Sequence, residues 1–300
     1  MEIRGVLIED AFAEAFSMCA ARIVVTAASP GWAREAASKL TGFATSVIAC
    51  KLEAAIEREL GPDETPDARP GVSALLFTMD AASLGKRLVE RIGQTVLTCP
   101  TACCYDGLPE LTDRFAAGRA LRVFGDGFQI SKVLGGQRYW RIPVMEGECL
   151  VQETFGVEAQ AVGGGNFLIL AEDVPSALAA AEAARNAVAG TPGVILPFPG
   201  GIVRSGSKVG ARRYKGMIAS TNDAYCPTLR PITESALPAG VNAVFEIVID
   251  GLGAGAIRHA MREGIEAACR PGVRVITAGN YGGRLGAHHF HLRQIMGEGQ

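Results

Sequence analysis

Hydrophobic and polar positions along the chain alternate between strand-like and helix-like periods, and the alternation occurs twice. Residues 9–18 place Phe12 and Phe16 four apart and predict a short amphipathic helix. Residues 22–26 are β-branched and apolar, a strand. Ser29 then offers an N-cap and Pro30 a first helical position, so a helix is expected to about Leu40, ended by Thr41-Gly42. Residues 45–50 predict a strand, and the charged stretch 51–64 a loop or short helix before the Pro- and Gly-rich turn at 66–71. Residues 73–79, 81–92 and 95–99 read as strand, helix and strand. The first hundred residues thus contain β-α-β twice.

Residues 121–156 change to short alternating strands at 121–124, 137–144 and 149–155. After Gly163-Gly164-Gly165 the first rhythm returns: strand 166–171, helix 175–189, strand 194–197, an irregular stretch 222–240, strand 243–250, helix 255–269 and strand 273–278. Aligning the halves puts Pro30 opposite Pro175, Val47-Ile48 opposite Val194-Ile195, residues 73–80 opposite 243–250, and Leu97-Thr98 opposite Ile276-Thr277. The fold class expected is α+β, an internal duplication of ferredoxin-like lobes built from β-α-β units, with a β insert between them. The boundaries expected are 1–120, 121–162 and 163–300. An eight-stranded β/α barrel is the structural rival, disfavoured by the all-β interruption.

Composition narrows the function. The 300 residues are 48 % hydrophobic with a formal net charge of -2, which fits a globular protein and argues against general nucleic-acid binding. No basic start followed by an apolar run is present, and no apolar stretch is long enough for a membrane span, so a cytoplasmic protein is expected. Of the eight cysteines only Cys99, Cys103 and Cys104 cluster, without Cys-x-x-Cys spacing or a nearby His; buried thiols are expected rather than disulfides or a metal site.

Glu246 is the anomaly. It stands in the strand pattern Val244-Phe245-Glu246-Ile247-Val248-Ile249, sharing one face with Val244 and Val248. In the alignment above its counterpart is Leu76, so the fold does not require a carboxylate there. An acid desolvated on an apolar face stays protonated to higher pH and can donate a proton, whereas the ordinary alternative is a buried Glu satisfied by a neighbouring Arg or an interface partner. A second stretch, Pro197-Phe198-Pro199-Gly200-Gly201 followed by Arg204-Ser205-Gly206-Ser207-Lys208, combines close backbone approach with hydroxyls and cations. No acidic residue lies between Glu182 and Asp223, while Arg204, Lys208, Arg212, Arg213 and Lys215 do. Anionic small molecules are the expected ligands, held by Gly200, Gly201, Arg204, Ser205, Ser207, Lys208, Arg212 and Lys215; a solvated basic loop is the alternative. Asn280 and Tyr281, in the Gly-rich turn after a strand, could form a second ligand loop or only a turn. His288, His289 and His291 lack acidic or Cys partners in sequence, so no metal site is expected.

Several blocks together resemble one family. Ile8-Glu9-Asp10-Ala11-Phe12-Ala13-Glu14-Ala15-Phe16, Thr41-Gly42-Phe43-Ala44-Thr45-Ser46-Val47-Ile48, residues 197–201 with 205–210, and residues 246–251 look like formylmethanofuran:tetrahydromethanopterin formyltransferase, across nearly the whole chain. Residues 124–133 and the ending His289-Phe290-His291-Leu292 are similar to its bacterial branch, a subunit of a formyltransferase/hydrolase complex. The sequence departs from the pattern at residues 51–55 and 102–105.

The resemblance implies a homotetramer with active sites at subunit contacts. It implies formyl transfer between methanofuran, or its bacterial analogue methylofuran, and N5 of tetrahydromethanopterin, both cosubstrates rather than tightly bound cofactors. It also implies that an acidic residue at Glu246 lies by the formyl group. Direct transfer through a tetrahedral adduct, with Glu246 as proton shuttle, is the mechanism expected. A non-catalytic ligand-binding or assembly subunit and a hydrolase using Cys99 are the rival readings.

Overall fold

The computed structural model describes residues 1–297. Two units divide it, Met18–Ala161 and the combination of Met1–Ser17 with 162–300, of which 298–300 lie outside the described residues. This differs from the expected boundaries. The first seventeen residues belong with the second half because two of their strands pair there, and the β insert belongs with the first half because its strand Gly147–Gln152 pairs with Cys103–Asp106.

The unit Met18–Ala161 contains most of β1 (Phe12–Thr26), then α1 (Pro30–Thr41), β2 (Glu53–Leu60), β3 (Gly71–Thr78), α2 (Ala81–Arg91) and β4 (Cys103–Asp106). The strands run in the order β4-β1-β3-β2, every neighbour antiparallel. The insert extends this sheet beyond β4 with an antiparallel meander of Gly147–Gln152, Gln137–Val144 and Ile130–Leu134. Ser29 caps α1, accepting from the Trp32 N–H, with Pro30 at the first turn as expected.

In the other unit β5 (Glu158–Ala171, in this unit from Val162), α3 (Val174–Val188), β6 (Val194–Ile195), β7 (Ala243–Gly251), α4 (Ala254–Ala268) and β8 (Val273–Thr277) follow the same succession. Their order is β8-β5-β7-β6, again antiparallel throughout, and the strand Val6–Ile8 adds in parallel beyond β8. Antiparallel neighbours exclude the β/α barrel. The two helices cover one sheet face: Ile247 and Ile249 of β7 pack with Ala177, Ala181, Ile257 and Met261. Gly264 of α4 lets that helix approach closely, since a Cβ there would come within 2.9 Å of the Phe167 ring.

Five expected elements change. Residues 9–18 are strand, not helix: Phe12, Glu14 and Phe16 lie on one face of β1 while Ala13 and Ala15 are fully buried on the other. Residues 45–50 form a short helix, Val47–Cys50, capped by Ser46. The charged stretch after it contains β2, which tolerates Glu57, Arg58 and Glu59 because it is an edge strand of the β4-β1-β3-β2 set. Residues 92–96 prolong α2 as a wider helical turn, with Ile92 and Val96 both fully buried, so the strand expected at 95–99 comes later, at Cys103–Asp106. In the insert, Leu121 ends a helix and Arg122–Gly125 is a 3-10 turn rather than strand. The eight cysteines are free. No described helix is long and apolar enough to cross a membrane.

Candidate functional site

The face of β7 turned away from the helices presents Val244, Glu246 and Val248. Leu168 and Leu170 of β5 and Val275 of β8 join this face, which is covered by the irregular stretch after residue 221 through Tyr225, Leu237 and Val241. Between sheet and covering stretch lies a cavity of about 890 Å³. Glu246, Val203 to Lys208, Asn166, Tyr225, Asn280 and Tyr281 all line it.

Local pairing puts them together. Val203 and Glu246 exchange both backbone hydrogen bonds, at 2.8 and 2.9 Å, so the Gly-rich stretch lies against β7 at the level of the carboxylate. Gly200 and Gly201 supply the turn that leads there, with φ of 64° and 76°. Asn166 joins the opposite wall: its side chain accepts from the Gly279 N–H at 2.6 Å and donates to the Gly279 carbonyl at 3.1 Å, fixing the start of the loop that contains Asn280 and Tyr281.

Burial pushes the Glu246 carboxyl up to about 7. Among the described residues no Lys or Arg forms an ion pair with it, so no Arg of this chain neutralises the carboxyl. Burial also raises the Tyr281 phenol, reinforced by the nearby Glu246 and Glu14 charges and opposed by a hydrogen bond to Ser207. An acid that stays protonated near neutrality and a phenol that resists ionisation thus share one cavity, an arrangement suited to delivering protons.

Of the residues expected to bind ligand, Arg204, Ser205, Ser207, Lys208, Asn280 and Tyr281 line the cavity. Gly200 and Gly201 do not, and serve the turn. Arg212 lines a separate shallow cavity beside Asp223, and Lys215 lines neither. Both lie on the connection of a hairpin formed by Ser207–Val209 and Ala219–Thr221, which takes the middle of the basic stretch away from the site. Lys208 is paired with Asp223, the acidic residue that ends the basic stretch, so its charge is compensated in the free chain. Asn166, Tyr225 and Asn242 were not singled out from sequence; the polar Asn opening an otherwise apolar strand was the available signal for Asn166.

Cys99 is half-buried with a thiol raised by burial, which disfavours the hydrolase reading. Among the described residues no group of three or more His, Cys, Asp and Glu side chains is placed to hold a metal ion.

Known proteins share this architecture and sequence. Residues 1–144 match the family described as formylmethanofuran-tetrahydromethanopterin formyltransferase, and residues 147–295 match its proximal lobe. A formylmethanofuran–tetrahydromethanopterin formyltransferase of Methylobacillus flagellatus is 60 % identical, over 99 % of this chain and 100 % of its own. The solved formylmethanofuran:tetrahydromethanopterin formyltransferase from Methanosarcina barkeri has a TM-score of 0.93 at 48 % identity, covering 98 % of this chain and 100 % of that one. A chain of the formyltransferase/hydrolase complex from Methylorubrum extorquens, solved with methylofuran, has a TM-score of 0.95 at 50 % identity, covering 98 % of each chain. The chain belongs to the formylmethanofuran–tetrahydromethanopterin formyltransferase family.

Proposed function

We propose that this chain transfers a formyl group between methanofuran, or methylofuran, and N5 of tetrahydromethanopterin, in the cavity above β7, with Glu246 as the proton shuttle. The observation that supports it is the Glu246 carboxyl, desolvated in a cavity and unpaired with any described cation. In the direction of the pterin, N5 attacks the formyl carbon and the carbonyl π electrons move to oxygen, which the protonated carboxyl stabilises. Collapse of the adduct breaks the bond to the furan amine, which gains a proton while N5 loses one. The carboxyl exchanges one proton for the other, so no net acid is consumed.

Arg204 has no acidic partner among the described residues and suits the anionic part of a cosubstrate; Lys208 suits it once the Asp223 contact is exchanged for ligand. The shared β-α-β-β-α-β succession and strand order support two ferredoxin-like lobes derived by duplication. A homotetramer, and association with hydrolase subunits as in the M. extorquens complex, agree with the exposed edge strand Ile130–Leu134, beside which Phe124 and Phe128 are also exposed. A cytoplasmic location is proposed with it. Spectrophotometric assay of formyl transfer to tetrahydromethanopterin, with the chain alone and with the hydrolase subunits, tests the reading. Absence of turnover in both would favour the non-catalytic assembly role.

A further inference from the structure

Glu14 is a carboxylate that the mechanism above does not use, and it is 1 % exposed. Among the described residues no cation forms an ion pair with it. Instead its Oε2 accepts from the backbone N–H groups of Tyr281 and Gly283, at 2.7 and 2.9 Å, and its Oε1 from those of Leu285 and Gly286, at 2.5 and 2.6 Å. Gly282 and Gly283, with φ of 72° and 71°, curl the loop so that its donors converge, and the result is an anion nest filled by the protein itself. Burial alone would raise the carboxyl, but the four donors outweigh it and bring it down to about 2.

The rest of that strand face supports the same loop. The Phe12 carbonyl accepts from the Asn280 amide at 3.2 Å, and the Phe16 ring lies 6.3 Å from the Tyr281 ring. At the far end Gly286 meets β1 so closely that a Cβ there would come within 2.4 Å of the Ala15 carbonyl oxygen. Tyr281, at the head of the loop, is in the electrostatic reach of Glu246 and hydrogen-bonded to Ser207.

We propose that Glu14 is a positioning residue for formyl transfer: by holding the loop from Tyr281 to Gly286 it keeps the Tyr281 phenol in the cavity, beside Ser207 and Glu246. The loop has no helix or sheet pairing to define it, so without the carboxylate four converging N–H groups would lose their common acceptor. This inference rests on the reading that Glu246 is the reacting carboxyl.

A double-mutant cycle of Glu14→Gln with Tyr281→Phe tests it. The Gln side chain has one acceptor oxygen and turns an NH2 toward one N–H pair, so part of the loop is released. The expected result is a loss of roughly tenfold in kcat/KM for either single variant and no further loss in the double variant, since both act on one element. Equal loss on both backgrounds, or none in Glu14→Gln, would overturn the proposal. Should Glu14→Gln not fold, Gly282→Ala strains the same loop through its φ of 72°, its Cβ meeting only the Arg284 side chain at 3.5 Å, and the same cycle with Tyr281→Phe decides. Glu246→Gln, assayed in parallel, keeps the two ideas apart. Normal turnover there removes the reading of Glu246, whereas impaired turnover with independent Glu14 and Tyr281 effects removes only the positioning role.

Discussion

Ser73 occupies in β3 the ladder position that Glu246 occupies in β7. Ser73 lies opposite Val24 of β1, and Glu246 opposite Leu168 of β5. Each strand residue has the same offset from the helix that follows: Val24 and Leu168 stand five before the caps Ser29 and Asp173, and Ser73 and Glu246 seven before Asp80 and Gly253. At this position Ser73 donates to Glu57 at 2.7 Å, and Glu57 is bound by the Arg22 guanidinium at 2.7 and 2.8 Å. One unit therefore satisfies its polar group with a carboxylate that a cation neutralises, and the other leaves a carboxyl desolvated beside a cavity.

Ser73→Ala is accordingly expected to act on stability alone. It removes one buried hydrogen bond while Glu57 keeps Arg22, a cost of about 1 kcal/mol. Urea denaturation should show that loss with kcat/KM unchanged; a large catalytic defect would contradict the structural role.

Glu246→Gln keeps the shape of the side chain and removes the proton. Turnover should fall roughly 100- to 1,000-fold, the range for loss of one donor to a developing oxyanion. Circular dichroism should show the native fold, and near-normal turnover would disprove the shuttle.

The same substitution reads out the carboxyl through pH. Because the folded chain holds Glu246 up to about 7 against an ordinary 4.5, ionisation penalises the native state, and the native state loses stability as pH rises between those values. The variant cannot ionise. Its melting temperature relative to the parent should rise between pH 4.5 and 7 and level off above. In activity the protonated form is the donor, so kcat/KM of the parent should decline above about pH 7, a limb that Glu246→Gln lacks.

The residues show which parts of this were legible. Alternation along β7 grouped Glu246 with Val244 and Val248 on one face, because strand periodicity is local, but which face the helices cover is settled by tertiary packing. The equivalence with Leu76 was three residues off. Asp80 caps α2 directly, accepting from the Ser83 N–H, whereas Asp250 is buried within β7 and accepts from the Gly164 N–H, leaving Gly251 and Leu252 before the cap at Gly253. Two Asp residues before helices looked alike and serve different ends. Leu76 in fact packs with Leu84 and Leu88 on the helix-covered side. Phe12 and Phe16 satisfy a helical and a strand period equally, and it is the antiparallel pairing of residues 12–15 with His288–His291, at the other end of the chain, that selects the strand. Tyr225 and Asn166 reach the cavity from segments whose proximity depends on tertiary pairing.

Lys208 tests the electrostatic side of the site. Its ammonium is paired with Asp223, whose carboxyl is held below the ordinary range chiefly by that hydrogen bond. Lys208→Glu would set two like charges together at the cavity edge and repel an anionic cosubstrate, so KM should rise about tenfold with kcat little changed, and raised salt should reduce the difference. The pair is partly exposed, so folding should survive. Unchanged Michaelis constants for both cosubstrates would show that their anionic groups bind elsewhere. Arg204→Ala, assayed under the same conditions, would then separate the two cations: a KM effect at Arg204 alone would mean that Lys208 serves only to hold the hairpin through Asp223.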